Sequence, residues 1–350
     1  MVDSVTLADD LGPILAAWGV TGAASARATT GLLGRTELVT LTDGRDVVVQ
    51  RMAKIFGPDV VVDIDRVCAH LEARGLLAPR PLPRPDGTLS FTDGDGGVWR
   101  ILTRLPGHTI ERVTSPAIAA EAGALVARWH GALADYPHPF SSTRAPHDTA
   151  KHRAKLAAAV AAARPGTTPD YDRLVPLGEE LVRALDGAPT FAELPKRVTH
   201  GDLKISNMLF AEDGAGVALI DLDTLGRQPL AHELGDAWRS WVNPRGEDVE
   251  DTRLELDVLA AAAQGAARGM TPTADEIASL VPGLETICFE LAARFCLDAF
   301  EDSYFGWDPK RFPSRREHNR VRAVGQATLG RAVAGVRSGV EATVRAAFGD

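Results

Sequence analysis

"VTHGDLKISNMLF", residues 198–210, places a His, an Asp, a Lys and an Asn within eight residues, from His200 to Asn207. The stretch "ALIDLDTLG", residues 218–226, follows closely and carries two more Asp at the end of an apolar run. The segment between them, "AEDGAG", is rich in turn-forming residues and joins two short apolar segments. This pattern predicts a β-hairpin, which would return Asp221 to a position beside Asn207.

The residue types at this spacing are those that phosphoryl transfer from ATP requires. An Asp orients the attacking hydroxyl and accepts its proton, an Asn and a second Asp hold Mg²⁺ against the phosphates, and a cation offsets charge on the transferred group. These roles fit, in that order, Asp202, Asn207, Asp221 and Lys204. In the structural alternative, His200 and Asp202 form a turn-capping network and Asp221 ends a strand. The combined spacing, which matches the kinase catalytic loop, favours the catalytic interpretation.

The segment resembles the aminoglycoside phosphotransferase and choline kinase superfamily, whose members carry HGDxxxxN followed by an IDxD-type metal motif. The likeness is closest to the N-acetylhexosamine 1-kinase branch, through the blocks "RVTHGDLKISNMLF", "VALIDLDTLG", "ELGDAWRS", "ARFCLDAFEDSYF" and "EHNRVRAVGQ". The resemblance implies a bilobal, protein-kinase-like fold of the α+β class. It also implies transfer of the γ-phosphate of ATP to a sugar hydroxyl, in this branch the anomeric hydroxyl of a hexosamine or hexose.

The same resemblance implies roles for the residues of the motif. Asp202 is the base, and Asn207 and Asp221 are the Mg²⁺ ligands. Asp223 is a further ligand or a support for the metal site. Asp236, in "LGD", either braces the catalytic loop by accepting backbone N–H groups or caps a helix.

The first 105 residues read as a small antiparallel sheet with one inserted helix. Residues 36–51 have the β-branched runs and central turn of a hairpin, and residues 59–74 have a helical pattern. From Thr114 onward the pattern is mainly helical. We therefore expect an N-terminal ATP-binding lobe over residues 1–105 and a C-terminal catalytic and substrate-binding lobe over residues 106–350.

The glycines of "GLLGRTE", Gly34 among them, form the only candidate phosphate loop, and they are equally explained as turn glycines. The strand "VVVQRM" lacks the lysine of protein kinases, and alternation sends Gln50 and Arg51 to opposite faces. Arg51 is the expected phosphate contact because it carries a positive charge. Its acidic partner would be Asp63 or Asp65.

The adenine is expected to hydrogen-bond to the backbone near Arg104 and Leu105, just before the Pro106–Gly107 break between the lobes.

Three polar residues recur at helical spacing in the apolar stretch "CFELAARFCLDAF": Glu290, Arg294 and Asp298. They form either a solvent-facing salt-bridge ladder or a polar stripe that lines a sugar pocket. The family block around Arg294 favours the pocket, with Asp298 and Tyr304 as further substrate contacts.

Four residues outside these motifs are less informative. In "PHDTAKHR", His147 and Asp148 either cap the following helix, which we favour, or reach the sugar. His318 and Asn319 are expected to be packing or surface groups.

The net charge of −9 disfavours nucleic acid and anionic membranes as partners. The three cysteines, Cys68, Cys288 and Cys296, are too scattered for a disulfide framework and are expected to be core thiols. There is no signal-peptide pattern and no membrane-length apolar run, so we expect a cytoplasmic protein that acts on a small molecule.

Three rival functions share parts of this pattern. An aminoglycoside phosphotransferase would line its acceptor pocket with carboxylates, and Arg294 argues against that. A protein kinase would carry a Gly-rich loop and an APE motif, which this sequence lacks. A non-catalytic nucleotide-binding module would not need the complete set of Asp202, Asn207 and Asp221.

Overall fold

A five-stranded antiparallel sheet forms the N-terminal part of the computed structural model, which describes residues 7–27, 34–141 and 147–349. The strand order is β1-β2-β3-β5-β4. The strands are β1 (Gly22–Arg27), β2 (Arg35–Leu41), β3 (Asp46–Arg51), β4 (Phe91–Thr92) and β5 (Val98–Thr103). The predicted hairpin is present, with Leu38 paired to Val48 and a left-handed Gly44 at φ +86° in its turn.

The two faces of this sheet have different neighbours. Val47 and Val49 of β3 and Trp99 and Ile101 of β5 are buried in one apolar cluster, which also contains residues of the short helix α1 (Gly12–Ala16). Because side chains alternate along a strand, Gln50 of β3 and its register partner Arg100 of β5 lie on the opposite face. From that face Arg100 contacts Asp223, which lies outside the sheet.

Helix α2 (Pro58–Glu72) is the helix inserted in the sheet, and it matches the predicted helix over residues 59–74. It begins with Pro58, whose fixed φ and missing N–H suit a first helical position, and the chain turns away at Gly75 with φ +78°. Its apolar side, including Val60 and Ile64, is buried in the same cluster as Leu222 of the metal motif. The helix therefore packs against the segment that follows β8.

The remainder is mainly helical, so the predicted α+β class is confirmed. The helices are α3 (Pro116–Ala132), α4 (Thr149–Ala162), α5 (Tyr171–Asp186), α6 (Leu230–Trp241), α7 (Leu256–Ala267), α8 (Ala274–Glu301), α9 (Arg315–Gly335) and α10 (Arg337–Phe348). Four short strands make two small antiparallel pairs, β6 (Arg197–Thr199) with β9 (Gly226–Gln228) and β7 (Met208–Phe210) with β8 (Gly216–Leu219). None of the described helices has both the length and the apolar character of a membrane span.

Glycines bring the central helices into close contact. A Cβ at Gly235 of α6 would lie 2.9 Å from the backbone of Gly283 in α8, and a Cβ at Gly283 would overlap the carbonyl group of Ala231. The three cysteines are free and buried, as expected. The close crossing of α6 and α8 therefore requires glycine at these two positions.

Candidate active site

The loop predicted to be catalytic, residues 200–207, follows β6 and is held by a buried carboxylate. Glu233, in the first turn of α6, is only 1% exposed. Its Oε1 accepts the backbone N–H of His200 at 2.7 Å and its Oε2 accepts that of Gly201 at 2.9 Å. Burial would raise the pKa of Glu233, but the contacts with His130 and His200 lower it below its usual value. The loop is thereby fixed by a charged, fully engaged acceptor.

Neither of the two predicted alternatives for Asp236 is correct, and Glu233, three residues earlier, is the residue that braces the loop. Asp236 lies in the middle of α6 and therefore is not its N-cap. Its Oδ1 accepts hydrogen bonds from Nε and Nη2 of Arg239 at 3.2 and 2.9 Å. Arg239 also pairs with Glu247, in the segment after α6. This buried pair connects α6 to the chain that follows it.

Asp202 is surrounded by donors. Lys204 Nζ lies 3.0 Å from its Oδ2, and Asn207 Nδ2 donates to the same oxygen at 2.9 Å. Enclosure in the protein would raise the pKa of Asp202, but the charge and the hydrogen bond of Lys204 outweigh it and lower the pKa below its usual value. Asp202 is therefore ionised at neutral pH, and about a third of its side chain, 34%, remains exposed.

The predicted hairpin brings Asp221 to this loop. Met208 pairs with Leu219, and the N–H of Ile220 donates to the carbonyl of Asn207 at 2.9 Å. His200 Nε2 donates to the carbonyl of Ile220, also at 2.9 Å. Asp221 itself has φ +63°, a left-handed conformation that is uncommon for a residue with a Cβ and often marks a functional site.

The carboxylates at this point are suited to a divalent cation. Burial and the charge of Asp223 raise the pKa of Asp221, and the charge of Asp202 adds to the effect. A bound cation would relieve this repulsion. Among the described residues no group of three or more His, Cys, Asp or Glu side chains is arranged to hold a metal. The site offers Asp221 and the amide oxygen of Asn207, a set typical of Mg²⁺ bound jointly with phosphate and water.

Arg51 is not brought to this site. It lies on the sheet face that packs against α1, where its Nη2 is 3.0 Å from Asp93 Oδ2 and its guanidinium lies over Trp99. Arg100 of β5, on the other face, reaches the metal motif instead: its Nη1 lies 2.5 Å from Asp223 Oδ1. The expectation for Arg51 reversed the two faces.

The two acids proposed as partners of Arg51 have other contacts. Asp63 is buried and accepts the backbone N–H and the hydroxyl of Ser141 at 2.6 and 3.1 Å. Asp65 accepts from Arg80 Nε at 3.1 Å. The structure thus pairs neither acid with Arg51.

The other expected nucleotide contacts lie along the first strands and the end of β5. Gly34 precedes β2, and a Cβ there would come within 2.8 Å of the Arg51 carbonyl oxygen, which explains a glycine by close strand packing. Residues 31–33 lie outside the described residues. At Arg104 and Leu105, no backbone hydrogen bond to another described residue is found, so their N–H and C=O groups remain available for a ligand.

The polar stripe of α8 is not a solvent-facing ladder, because Glu290 and Asp298 are only 1% and 2% exposed. Glu290 accepts from His147 Nδ1 at 3.1 Å and from Thr149 Oγ1 at 2.5 Å, and its pKa is lowered to about 2 by these contacts, against the effect of burial. His147 Nε2 is buried without a partner among the described residues. Asp148 caps α4 by accepting from the Lys151 N–H at 3.1 Å, as expected for capping.

Asp298 is not available as a substrate contact, contrary to expectation. Its Oδ1 accepts the backbone N–H groups of Ser303 and Tyr304 at 3.0 and 2.6 Å. Its Oδ2 accepts the N–H of Phe305 at 2.9 Å and Asn319 Nδ2 at 2.7 Å. Both oxygens are therefore occupied, and Asp298 shapes the loop after α8. Asn319 is a packing group, as expected, and so is His318, which stacks on Phe312.

Arg294 is the member of the stripe that keeps its polar group free. Its guanidinium lies 5.7 Å from the ring centroid of Phe305, and among the described residues it forms no hydrogen bond and no ion pair. Its charge opposes protonation of His147 and of His152, so it lies near the side chains that surround Glu290. Tyr304, 44% exposed, packs edge-to-face against Phe305.

The sequence assigns no role to two of the residues that shape this site, and it does not predict one of the pairings. Arg100 could have been found because it is a charge inside the apolar strand "VWRIL". Glu233 is a second acid in "HELGD" and has no local signal that separates it from Asp236. The pairing of His147 with Glu290 spans 143 residues of sequence and has no local signal at all.

Solved structures with this fold include several kinases of small molecules. A microcompartment-associated aminopropanol kinase superposes with a TM-score of 0.64 and 14% identity, covering 95% of this chain and 98% of the other. An aminoglycoside phosphotransferase from Alicyclobacillus acidocaldarius gives 0.58 and 18%, covering 91% and 92%. A choline/ethanolamine kinase family protein from Mesorhizobium loti gives 0.58 and 16%, covering 96% and 98%. The predicted kinase-like fold is thereby confirmed.

Among curated proteins, homoserine kinases match part of the chain. That of Cupriavidus metallidurans is 32% identical over 151 residues, which is 42% of each chain, and that of Cupriavidus pinatubonensis is 30% identical over 148 residues, again 42% of each. The match thus spans less than half the length of these relatives. The family model described as "Phosphotransferase enzyme family" (APH) matches residues 27–269. Because the family model covers more than half of the chain, the chain belongs to the phosphotransferase enzyme family.

Proposed function

We propose that this protein is an ATP-dependent kinase that transfers the γ-phosphate to a hydroxyl group of a small molecule. The observation that carries the proposal is the meeting of Asp202, Asn207 and Asp221 at one point, through the hydrogen bonds of the catalytic loop and the β7–β8 hairpin. Few other protein groups are needed for this reaction, because its catalysis consists mainly of positioning and of stabilising charge.

Asp202 is the proposed base. Its lowered pKa keeps it ionised at neutral pH, so it orients the acceptor hydroxyl and takes the proton as the hydroxyl attacks. Lys204 pairs with Asp202, and its pKa is raised by the charges of Asp202 and Asp221 although burial would lower it. It is therefore a permanent cation, which we assign to the transferred phosphoryl group.

Asn207 and Asp221 are the residues that would hold Mg²⁺, with Asp223 as a support. The metal supplies charge neutralisation on the phosphates when it is bound. The protein fixes its two ligands through the backbone bond between Ile220 and Asn207, so the spacing of the ligands does not depend on the nucleotide.

The nucleotide is assigned to the cleft between the sheet and the helical part. We propose that residues 1–105 form the ATP-binding lobe and residues 106–350 the catalytic and substrate-binding lobe. Arg104 and Leu105 would pair with adenine through backbone groups that have no partner among the described residues. Gly34, which lies beside the β3 backbone, is proposed to place the chain near the phosphates.

For the acceptor we propose a sugar, phosphorylated at the anomeric hydroxyl of a hexosamine or hexose. Sugars are recognised by directional polar groups beside aromatic rings. Arg294 over Phe305, with Tyr304 next to it, has this composition, and the unpartnered His147 Nε2 adds a polar group beside it. The sequence blocks that resemble the N-acetylhexosamine 1-kinase branch support the same assignment.

Homoserine is the second candidate acceptor, because the curated relatives are homoserine kinases and the free guanidinium of Arg294 suits an amino-acid carboxylate. Aminoglycosides are less well supported. Their ammonium groups need free carboxylates, and both Glu290 and Asp298 are occupied by internal hydrogen bonds.

One panel separates these acceptors. The protein with Mg-ATP would be given hexoses, hexosamines, N-acetylhexosamines, homoserine and aminoglycosides, and ADP release would be measured. Phosphorus NMR of the product would then show whether the new ester is at the anomeric carbon. Turnover of a sugar at that position supports the proposal, whereas turnover of homoserine alone would replace the sugar with the second candidate.

A substitution at Arg294 tests the pocket itself. Arg294→Ala should raise KM for the acceptor by roughly tenfold or more, the value of one hydrogen bond to a charged group, and leave KM for ATP unchanged. Arg331→Ala is the matched control, since Arg331 is a surface arginine of α9 that pairs with Glu180. Equal acceptor KM in the two variants would remove Arg294 from the pocket.

A further inference from the structure

Arg100 is a buried cation in the middle of an apolar strand. It is 1% exposed, and its neighbours Trp99 and Ile101 turn to the opposite face, into the cluster with α1. Its Nε donates to Gln50 Oε1 at 2.9 Å, and the two residues are register partners on β5 and β3. A charge at such a position is costly unless it has a fixed use.

The guanidinium extends from the sheet to the metal motif. Its Nη1 lies 2.5 Å from Asp223 Oδ1, and the two side chains are 2% and 14% exposed. Neither atom makes a hydrogen bond of normal geometry to any described residue. The pair is therefore a contact of charges that leaves donor capacity on Arg100 beside Asp223.

Arg100 contacts the predicted metal motif directly, through Asp223. Gln50 on the same face is neutral, and Arg51 lies on the other face with Asp93. In the part of the sheet that the structure describes, Arg100 is thus the cation that reaches the cleft from the N-terminal lobe.

We propose that Arg100 is the residue that binds the phosphates of ATP from the sheet, in place of the lysine that protein kinases carry on β3. Gln50 and Asp223 hold the guanidinium in position, and its remaining N–H groups donate to oxygens of the α- and β-phosphates. The proposal deepens the proposed kinase function and rests on it. It moves the phosphate cation from β3 to the neighbouring strand.

Calorimetric titration with Mg-ATP and with adenosine tests this assignment. Arg100→Met should weaken Mg-ATP binding roughly 10- to 100-fold, the range expected for losing hydrogen bonds to a charged group, and leave adenosine binding within about twofold, because adenosine has no phosphate. Arg100→Lys should recover part of the ATP affinity, since it restores the charge without the planar fork.

Arg51→Met is the matched control, because it removes an arginine of the same sheet from the other face. It should leave the affinity for Mg-ATP within about twofold. Loss of ATP affinity in Arg51→Met with wild-type affinity in Arg100→Met would overturn the inference. So would an equal loss of ATP and adenosine binding in folded Arg100→Met, which would indicate a structural role.

Two further measurements keep the outcomes separate. Unfolding midpoints of all variants report folding, and if Arg100→Met does not fold, Arg100→Gln provides the neutral variant that keeps a donor for Gln50 and must show the same selective loss. A wild-type protein that binds adenosine and Mg-ATP equally would overturn the phosphate contact. A wild-type protein that binds neither would refute the kinase function itself.

Discussion

Asn207 Nδ2 lies 2.9 Å from Asp202 Oδ2, so one amide group connects the proposed base to the proposed metal site. The amide donates to the base through its nitrogen and leaves its oxygen for a cation. Because both ends of a planar amide are rigidly related, the position of a bound metal and the direction of the base would be set together. Changes at either residue should therefore affect different steps of the same reaction.

Asp202→Asn should reduce kcat by roughly 10²- to 10⁴-fold, the usual contribution of a general base. Binding of Mg-ATP should change little, since Asp202 is not assigned as a metal ligand. ADP release gives kcat and calorimetry gives the nucleotide affinity. Asp213→Asn, in the exposed turn of the β7–β8 hairpin, serves as the control. Unchanged turnover in Asp202→Asn would remove the assignment of the base.

Asp221→Asn should weaken nucleotide binding only when Mg²⁺ is present. The substitution removes a charge from the proposed metal site, and the loss is expected to be roughly tenfold or more. Titrations with ATP in Mg²⁺ and in EDTA give the comparison, with Glu212→Gln, a fully exposed acid of the same hairpin, as the control. Wild-type affinity in Mg²⁺ would count against the metal site.

Glu233→Gln should lower the free energy of unfolding by about 1–3 kcal/mol, because an amide nitrogen would face the backbone N–H groups that now find a carboxylate. Turnover should fall as well, since the loop that carries Asp202 loses an anchor at His200 or Gly201. Denaturant unfolding and kcat are the measurements, and the surface substitution Glu179→Gln on α5 is the control. A variant with wild-type stability would contradict the bracing role.

Gly283→Ala should destabilise the protein by about 1–3 kcal/mol or more, because the new methyl group overlaps the carbonyl of Ala231 where α6 and α8 cross. Gly339→Ala is the matched control: it lies in α10 with nothing within 4 Å of the added Cβ. That variant should be stabilised by roughly 0.5–1 kcal/mol, the gain of alanine over glycine in a helix. Urea unfolding of the two variants gives opposite signs if the crossing is as described.

Stability should fall between pH 6.5 and pH 4 partly through His232. Burial and the neighbouring charge of His147 lower the pKa of His232 to about 4 from 6.5. The unfolded chain therefore binds the proton first, so the contribution of His232 is fully present above pH 6.5 and is lost as the pH falls towards 4. Unfolding midpoints across this range should decline less steeply in His232→Gln than in the wild type, and equal slopes would refute the effect.

Local patterns in the sequence were sufficient to predict the β7–β8 hairpin and its position beside the loop that carries Asp202. Asp202 and Asn207 lie in one short loop before β7, and a short hairpin returns Asp221 to that loop. Helix α2 was also predictable, because its apolar period and its Pro58 start are local signals. These features depend on neighbours a few residues apart, which a sequence displays directly.

The errors concern side chains whose partners are distant in sequence. Arg51 and Arg100 are both arginines of one sheet, and only the packing of α1 decides which face is covered. Asp298 has the spacing of a pocket residue, but its partners lie in a loop and in α9. Glu233 and Asp236 are one helical turn apart, so the distinction between them depends on where the catalytic loop crosses α6.

The way Asp298 holds the loop after α8 has a consequence for divergence among related enzymes. It binds Ser303, Tyr304 and Phe305 through their backbone N–H groups, which nearly every amino acid provides. The path of the loop is therefore independent of the side chains that it displays. Substitutions in this loop would therefore leave the protein folded. Related enzymes could change the molecule that they phosphorylate while the residues that transfer the phosphate stay the same.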